Sequence, residues 1–200
     1  MEKNIGYLPG DGIGPEVAIE AKKVLEAIGE KYGHKFNFTE ALVGACAIDE
    51  TGDPYPAATH KICQESDAIL FGAIGDPKYD NDPSAKVRPE EGLLRMRKSL
   101  GLFCNIRPVK AYSVLEDFSP LKKERISGAD LVVFRELTSG LYFGAPRGRT
   151  EDGKTAFETC NYTEEEILRI SKMAFEAARN RRNKVTLVDK ANVLVTSRLW

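Results

Sequence analysis

Ala68 to Ile74 is an unbroken apolar run, Ala-Ile-Leu-Phe-Gly-Ala-Ile, with none of the alternation of a half-exposed strand. A strand of that pattern is covered on both faces, which is the environment of a parallel sheet. The chain before it supplies strands and helices in turn. Asn4 to Leu8 predicts a short strand. Pro15 opens a helix, since proline's missing N–H has no partner at the first helical position. Val17, Ala21, Val24, Leu25 and Ile28 mark one helical face, expected to be buried, and Gly33 stops the helix. Phe36 and Phe38 alternate into a second strand ending near Val43. A polar segment follows, Asp49 to Pro56, then a short helix, Ala57 to Gln64. The pattern is α/β.

Ligands of such sheets bind beyond the strand C-termini, so the segments there are the first candidates. Pro9-Gly10-Asp11-Gly12-Ile13-Gly14-Pro15 can offer backbone N–H groups and a helix N-terminus. It is not a Rossmann fingerprint, because Pro15 replaces the last glycine. Gly72 to Asp80 is a glycine- and proline-bearing loop after the apolar run. Arg135 stands at the end of a further strand, Leu131 to Phe134, which reads as buried. A charge in that environment needs a partner, and a ligand is the favoured one.

Arg88 to Arg107 is the densest segment. Glu90, Leu93, Leu94 and Arg97 fall at i, i+3, i+4 and i+7, on one helix face. That face joins a carboxylate, an apolar pair and a guanidinium. After Gly101 the pattern alternates: Leu102, Cys104 and Ile106 point one way, Phe103, Asn105 and Arg107 the other. Two arginines beside an apolar patch suit a small di-acid with an alkyl side chain. Spacing alone leaves open that both are surface charges.

The composition changes near Gly101. Gly140 to Gly144 and Thr155 to Tyr162 flank a polar tip and predict a long hairpin or arm, of the kind that packs on another subunit or domain. Thr163 and Glu166 form a capping box for a helix with Ile167, Ile170, Ala174 and Ala177 on its buried stripe. Arg179, Arg181, Arg182 and Lys184 complement that helix's C-terminal dipole. Val185 to Val188 predicts a strand leading to Asp189-Lys190-Ala191-Asn192, and another helix starts near Ser197.

A net charge of -1 argues against nucleic acid as the main partner. No apolar run approaches a membrane span, and no signal pattern opens the chain. Cys46, Cys63, Cys104 and Cys160 are widely spaced thiols without a CxxC pair, consistent with a reducing cytoplasm. His34 and His60 receive no role.

These stretches together resemble the isocitrate/isopropylmalate dehydrogenase family, the metal-dependent decarboxylating hydroxyacid dehydrogenases. The resemblance is carried by Leu8 to Val17, Gly72 to Asp80, Arg88 to Arg107, Arg135 to Gly144 and Val188 to Leu194. It implies the family's two-domain α/β fold, not Rossmann, in truncated form. Residues 1–101 would be the first part of the cofactor domain. Residues 102–200 would belong to the second, dimerisation domain, with an arm around 141–162. Within the family, the isopropylmalate-oxidising members match best. The implied reaction is NAD-dependent oxidative decarboxylation of 3-isopropylmalate to 2-oxoisocaproate in leucine biosynthesis, by a homodimer.

By the same resemblance, Arg97, Arg107 and Arg135 clamp the substrate carboxylates, and Leu93 and Leu94 meet its alkyl group. Lys190 takes the hydroxyl proton, acting in the neighbouring subunit's site, and Tyr142 protonates the enolate. Ile13, Asp76, Pro77, Lys78, Tyr79, Asp80 and Glu90 belong to the NAD site. A Mg or Mn ion would polarise the hydroxyl, held by aspartates beyond Trp200, so the chain alone is expected to be inactive. One departure lies in the cofactor loop, where Gly75-Asp76-Pro77 replaces the family's Gly-Gly-Pro. Related alkylmalate-, tartrate- or isocitrate-type dehydrogenases stay open as alternatives, as does a non-catalytic acid-binding or partner-docking fragment.

Overall fold

β1 (Glu2–Gly10) is the middle strand of a three-stranded parallel sheet, β2-β1-β3, in the computed structural model of this chain, which describes residues 1–80 and 85–200. β2 is Lys35–Glu40 and β3 is Ala68–Ala73. The register sets Ile5 between Phe38 and Ala68, Leu8 opposite Phe71, and Gly10 opposite Ala73. Helices α1 (Gly14–Tyr32), α2 (Ala45–Thr51), α3 (Ala57–Glu65), α4 (Pro77–Asp80) and α5 (Pro89–Ser99) complete the first of two units, Met1–Leu100. Its core joins Leu8, Ala41, Val43, Tyr55, Cys63 and Met96, with Leu8 and Val43 fully buried.

Three expectations change here. The side of α1 that packs is Gly14, Ala18 and Gly29, while Val17, Val24 and Ile28 are exposed. Small residues win because the helix sits almost on the backbone: a Cβ on Gly14 would stand 2.3 Å from the Pro9 oxygen. Part of the polar segment from Asp49 belongs to α2, which begins at Ala45. β3 is half-buried rather than covered on both faces, because it is an edge strand.

The second unit is Gly101–Trp200. β4 (Cys104–Lys110) and β5 (Asp130–Glu136) pair antiparallel, and α6 (Lys123–Ile126) lies between them in sequence. Leu131 and Val133 are 46% and 44% exposed, so β5 is not the buried strand expected. A two-stranded ladder alternates its side chains, and α7 (Glu164–Arg179) packs against β5. The capping box holds: Thr163 Oγ1 accepts from the Glu166 N–H, and Glu166 accepts from the Thr163 N–H. Ile167, Ile170 and Ala178 are its buried residues.

The arm narrows to a short pair, β6 (Gly148–Arg149) with β7 (Ala156–Phe157). Gly140–Tyr142 is a 3-10 turn, not a strand, because Gly140 takes the left-handed conformation at φ +70°. Val185–Val188 forms no ladder among the described residues, and Val188 is 90% exposed. A strand without a hydrogen-bonded neighbour has nothing to hold it. α8 (Val195–Leu199) closes the chain. The basic cluster after α7 is tied to the start of β5, with Arg181 2.7 Å from Asp130 and Arg182 donating to the Asp130 carbonyl.

Candidate functional site

The β4–β5 register decides where the arginines point. Arg107 pairs with Val133, and Arg135 pairs with Asn105. Opposed residues share a face in an antiparallel ladder, so Asn105, Arg107 and Arg135 stand on one face, the two arginines as diagonal neighbours. Arg107 Nε donates to Asn105 Oδ1 at 2.6 Å. Arg135 Nη2 donates to the Tyr142 hydroxyl at 3.3 Å, and its guanidinium lies 5.6 Å from that ring's centre. Among the described residues neither arginine is paired with a carboxylate. One face thus carries two cations, with a neutral amide between them and a phenol beside them.

The turn carrying Tyr142 is fixed by Glu136. This side chain is 3% exposed and accepts five hydrogen bonds. Thr138 N and Oγ1 donate at 2.7 and 2.9 Å, Ser139 N and Oγ at 2.9 and 2.8 Å, and Arg169 Nη2 at 2.5 Å. Burial pushes the Glu136 carboxyl up, but the bonds from Ser139, Arg169 and Thr138 outweigh it and bring the carboxyl below its usual 4.5. A lowered carboxyl stabilises the fold above the unfolded value, and that contribution disappears as pH falls through the lowered one. Acid unfolding followed by circular dichroism is therefore expected to begin below pH 4.5 and to lose part of its pH slope in Glu136→Gln. An unchanged slope in that variant would count against the assignment.

Helix α5 carries Glu90, Leu93, Leu94 and Arg97. Pro89, Gly92 and Met96 are its buried side, and a Cβ on Gly92 would stand 2.4 Å from the Pro54 oxygen. Arg95 ties the helix to Asp53 at 2.6 Å and to the Tyr55 carbonyl at 3.1 Å. At about 100° per residue, Glu90, Leu94 and Arg97 project to the side of that buried face. Leu93 lies at its border and packs against the core, while Leu94 is half-buried outside that cluster. The apolar patch is thus mainly Leu94, with Leu93 as its support.

Three segments converge at Gly75. Its N–H donates to Asp11 Oδ2 at 3.3 Å, a Cβ on Gly12 would lie 3.2 Å from its oxygen, and a Cβ on Gly75 would lie 3.8 Å from Glu90 Oε1. Asp11 is buried at 6% exposure and also accepts from the Ala45 and Cys46 N–H groups at 2.6 and 2.8 Å. One carboxylate thus bolts the Ile13 turn, α2 and the Gly75 loop together. Asp76 accepts from the Lys78 N–H at 3.0 Å and so begins α4, which gives the departing residue a local role. Lys78 is ion-paired with Asp49, and the Tyr79 hydroxyl donates to Asp49 at 2.9 Å. That bond to Lys78, then the one to Tyr79, holds the Asp49 carboxyl low. Ile13, Pro77 and Asp80 are exposed around this junction.

Lys190 is exposed in the segment before α8. Its N–H donates to Ser197 Oγ at 3.2 Å, within the C-terminal turn leading to α8. Sequence reasoning passed over Asn105, Glu136, Arg169 and Asp11 as site residues. Glu136 had a local signal, since Thr138 and Ser139 follow it at the spacing of a side-chain nest. Arg169 and Asp11 are long-range partners, and Asn105 sits two residues before Arg107.

Among the described residues no three His, Cys, Asp or Glu side chains converge to hold a metal ion such as Mg or Mn. At the glycine junction Gly12 and Lys78 are exposed, and Gly75 and Tyr79 are half-buried. No described helix is long and apolar enough to cross a membrane.

The chain is an α/β sheet unit with glycine junctions, followed by an antiparallel strand pair that carries two arginines on one face. Residues 4–200 match the isocitrate/isopropylmalate dehydrogenase family, and the chain belongs to it. A 3-isopropylmalate dehydrogenase of Bacteroides fragilis is 54% identical across all of this chain, which spans 56% of that relative. One from Aquifex aeolicus is 56% identical over 98% of this chain and 54% of its own length. An isocitrate dehydrogenase structure from Methylococcus capsulatus superposes with a TM-score of 0.80 at 31% identity, covering 98% of this chain and 54% of that one. The chain spans about half the length of the relatives it matches.

Proposed function

We propose that this chain carries the acid-binding and proton-transfer portion of an NAD-dependent oxidative decarboxylase of 3-isopropylmalate. The observation that carries the reading is the pair of arginines on one sheet face, without carboxylate partners among the described residues, with the Tyr142 hydroxyl hydrogen-bonded to one of them. Arg107 and Arg135 take the substrate carboxylates, a role that the family resemblance also gives Arg97. Guanidinium forks suit this because each can bind both oxygens of a carboxylate. Leu94, backed by Leu93, faces the alkyl group.

Tyr142, with its hydroxyl held by a cation, is placed to give a proton to an enolate as CO2 leaves. Lys190, in the role that the family resemblance gives it, accepts the hydroxyl proton in the site of a second copy of the chain. NAD, which supplies the hydride acceptor, would lie against Ile13, Asp76–Asp80 and Glu90. Cytoplasmic leucine biosynthesis is the setting that this chemistry fits.

The test is calorimetry of this chain with 3-isopropylmalate, malate and NAD, beside an absorbance assay for NADH with Mn. Isopropylmalate is expected to bind more tightly than malate by roughly 10-fold or more, the range of a small apolar group in a pocket. No NADH is expected from the chain alone. Equal affinity for the two acids, or no heat with either, would overturn the reading of the arginine face.

A further inference from the structure

We infer that Glu136, locked by Arg169, is the positioning residue for Tyr142. The inference rests on the reading of Tyr142 as the proton donor. Arg107 and Arg135 owe their places to the β4–β5 ladder, which is backbone pairing. Tyr142 lies beyond that ladder, on the 3-10 turn Gly140–Tyr142. Between the ladder's last residue and that turn, the chain is held chiefly by the Glu136 carboxylate.

The carboxylate gathers the N–H and hydroxyl of both Thr138 and Ser139, so it reverses the backbone directly after the strand. Arg169, arriving from α7, clamps the other side. Its Nη2 reaches Glu136 at 2.5 Å and Thr138 Oγ1 at 2.6 Å, and its guanidinium lies 4.7 Å from the centre of the Phe103 ring. Phe103 is itself fixed, because its carbonyl accepts from the Leu137 N–H at 2.8 Å. Arg169 therefore ties α7, the entry to β4 and the exit of β5 at one point. The turn is seated from the far side as well: the Gly140 N–H donates to the Asn161 carbonyl at 3.0 Å.

Neither Glu136 nor Arg169 touches Tyr142, so their influence is on where the phenol sits. The arginine face thus rests on the ladder, while the Tyr142 turn adds the Glu136–Arg169 ion pair to the bond that Tyr142 receives from Arg135. Loosening the pair should displace the tyrosine and spare the arginine face.

The experiment follows the Tyr142 ring in the full chain by NMR with ring-labelled tyrosine, its resonance assigned by its loss in Tyr142→Phe. Glu136→Gln combined with Arg169→Met removes both charges together, so no buried charge is orphaned. Arg169→Lys keeps the charge and serves as the rescue. In the double variant the Tyr142 resonance is expected to move toward its unfolded position and broaden, with most of the shift restored in Arg169→Lys. Calorimetry with 3-isopropylmalate should give dissociation constants within twofold across all three proteins. A Tyr142 resonance unmoved in the double variant overturns the inference. So does a loss of isopropylmalate affinity that matches the movement of the ring, because the pair would then be supporting the whole unit. If the wild-type chain binds no isopropylmalate, the reading of the site fails, and the NMR comparison still decides the role of Glu136. Should the double variant not fold, Arg169→Met alone, which leaves Glu136 four donors, gives the same comparison with a smaller shift.

Discussion

Gly10→Ala is expected to unfold the first unit. Gly10 has φ +75°, a left-handed conformation that costs an L-residue about 1–2 kcal/mol. The larger cost is steric. A Cβ there would stand 1.9 Å from the Ala73 oxygen and 2.9 Å from its carbon, both backbone atoms of the adjacent strand. That oxygen accepts the Asp11 N–H at 2.8 Å, so moving it away also pulls Asp11 from its place between α2 and the Gly75 loop. Each buried N–H left unpaired costs roughly 1–3 kcal/mol. The sum approaches the whole of a domain's stability, about 5–15 kcal/mol. Gly33→Ala is the control, with φ +66° and nothing within 4 Å of the added carbon. Urea unfolding should show Gly33→Ala losing about 1 kcal/mol and Gly10→Ala having no folded baseline for Met1–Leu100. Similar midpoints for the two would mean that the strands part easily and that the glycine junction is not a fixed seat.

The same junction shows what a sequence can carry. Its glycines and proline mark a turn at the right place, and the failed fingerprint correctly points away from a Rossmann nucleotide loop. What it does not show is that Asp11 caps α2, a helix starting 34 residues further on. With its cap supplied from so far away, α2 has no start signal of its own. α7 is the contrast: Thr163 and Glu166 are three residues apart, and the expected helix begins there. Local chemistry is legible, and distant partners are not.

The misplaced face of α1 has a related cause. Periodicity locates an apolar stripe, but close approach to β1 and β3 needs glycine and alanine, which carry little hydrophobic signal. At the candidate site the arginines and Tyr142 were visible as residue types. Their common face follows from a register that only the folded ladder fixes, and Arg169 reaches Glu136 across 33 residues.

Arg135→Lys carries the second large expectation, this time on binding. Lysine keeps the charge and the strand, and it loses the planar fork. The half-buried guanidinium now does two things at once, facing the binding surface and donating to the Tyr142 hydroxyl at 3.3 Å. A lysine ammonium can point at a carboxylate as a single charge, but it cannot bind both oxygens and hold the phenol together. A charge-assisted hydrogen bond is worth about 1.5–3 kcal/mol, so the dissociation constant for 3-isopropylmalate should rise roughly 10- to 100-fold. The melting temperature should move by no more than a few degrees, since Arg135 pairs with no carboxylate among the described residues and its backbone partner is Asn105. NAD affinity should be unchanged, because the glycine junction belongs to the other unit. Arg125→Lys, in the exposed α6, should change none of these quantities. Isopropylmalate affinity within twofold of wild type in Arg135→Lys would remove the fork from the site and leave Arg107 and Arg97 to account for any acid binding.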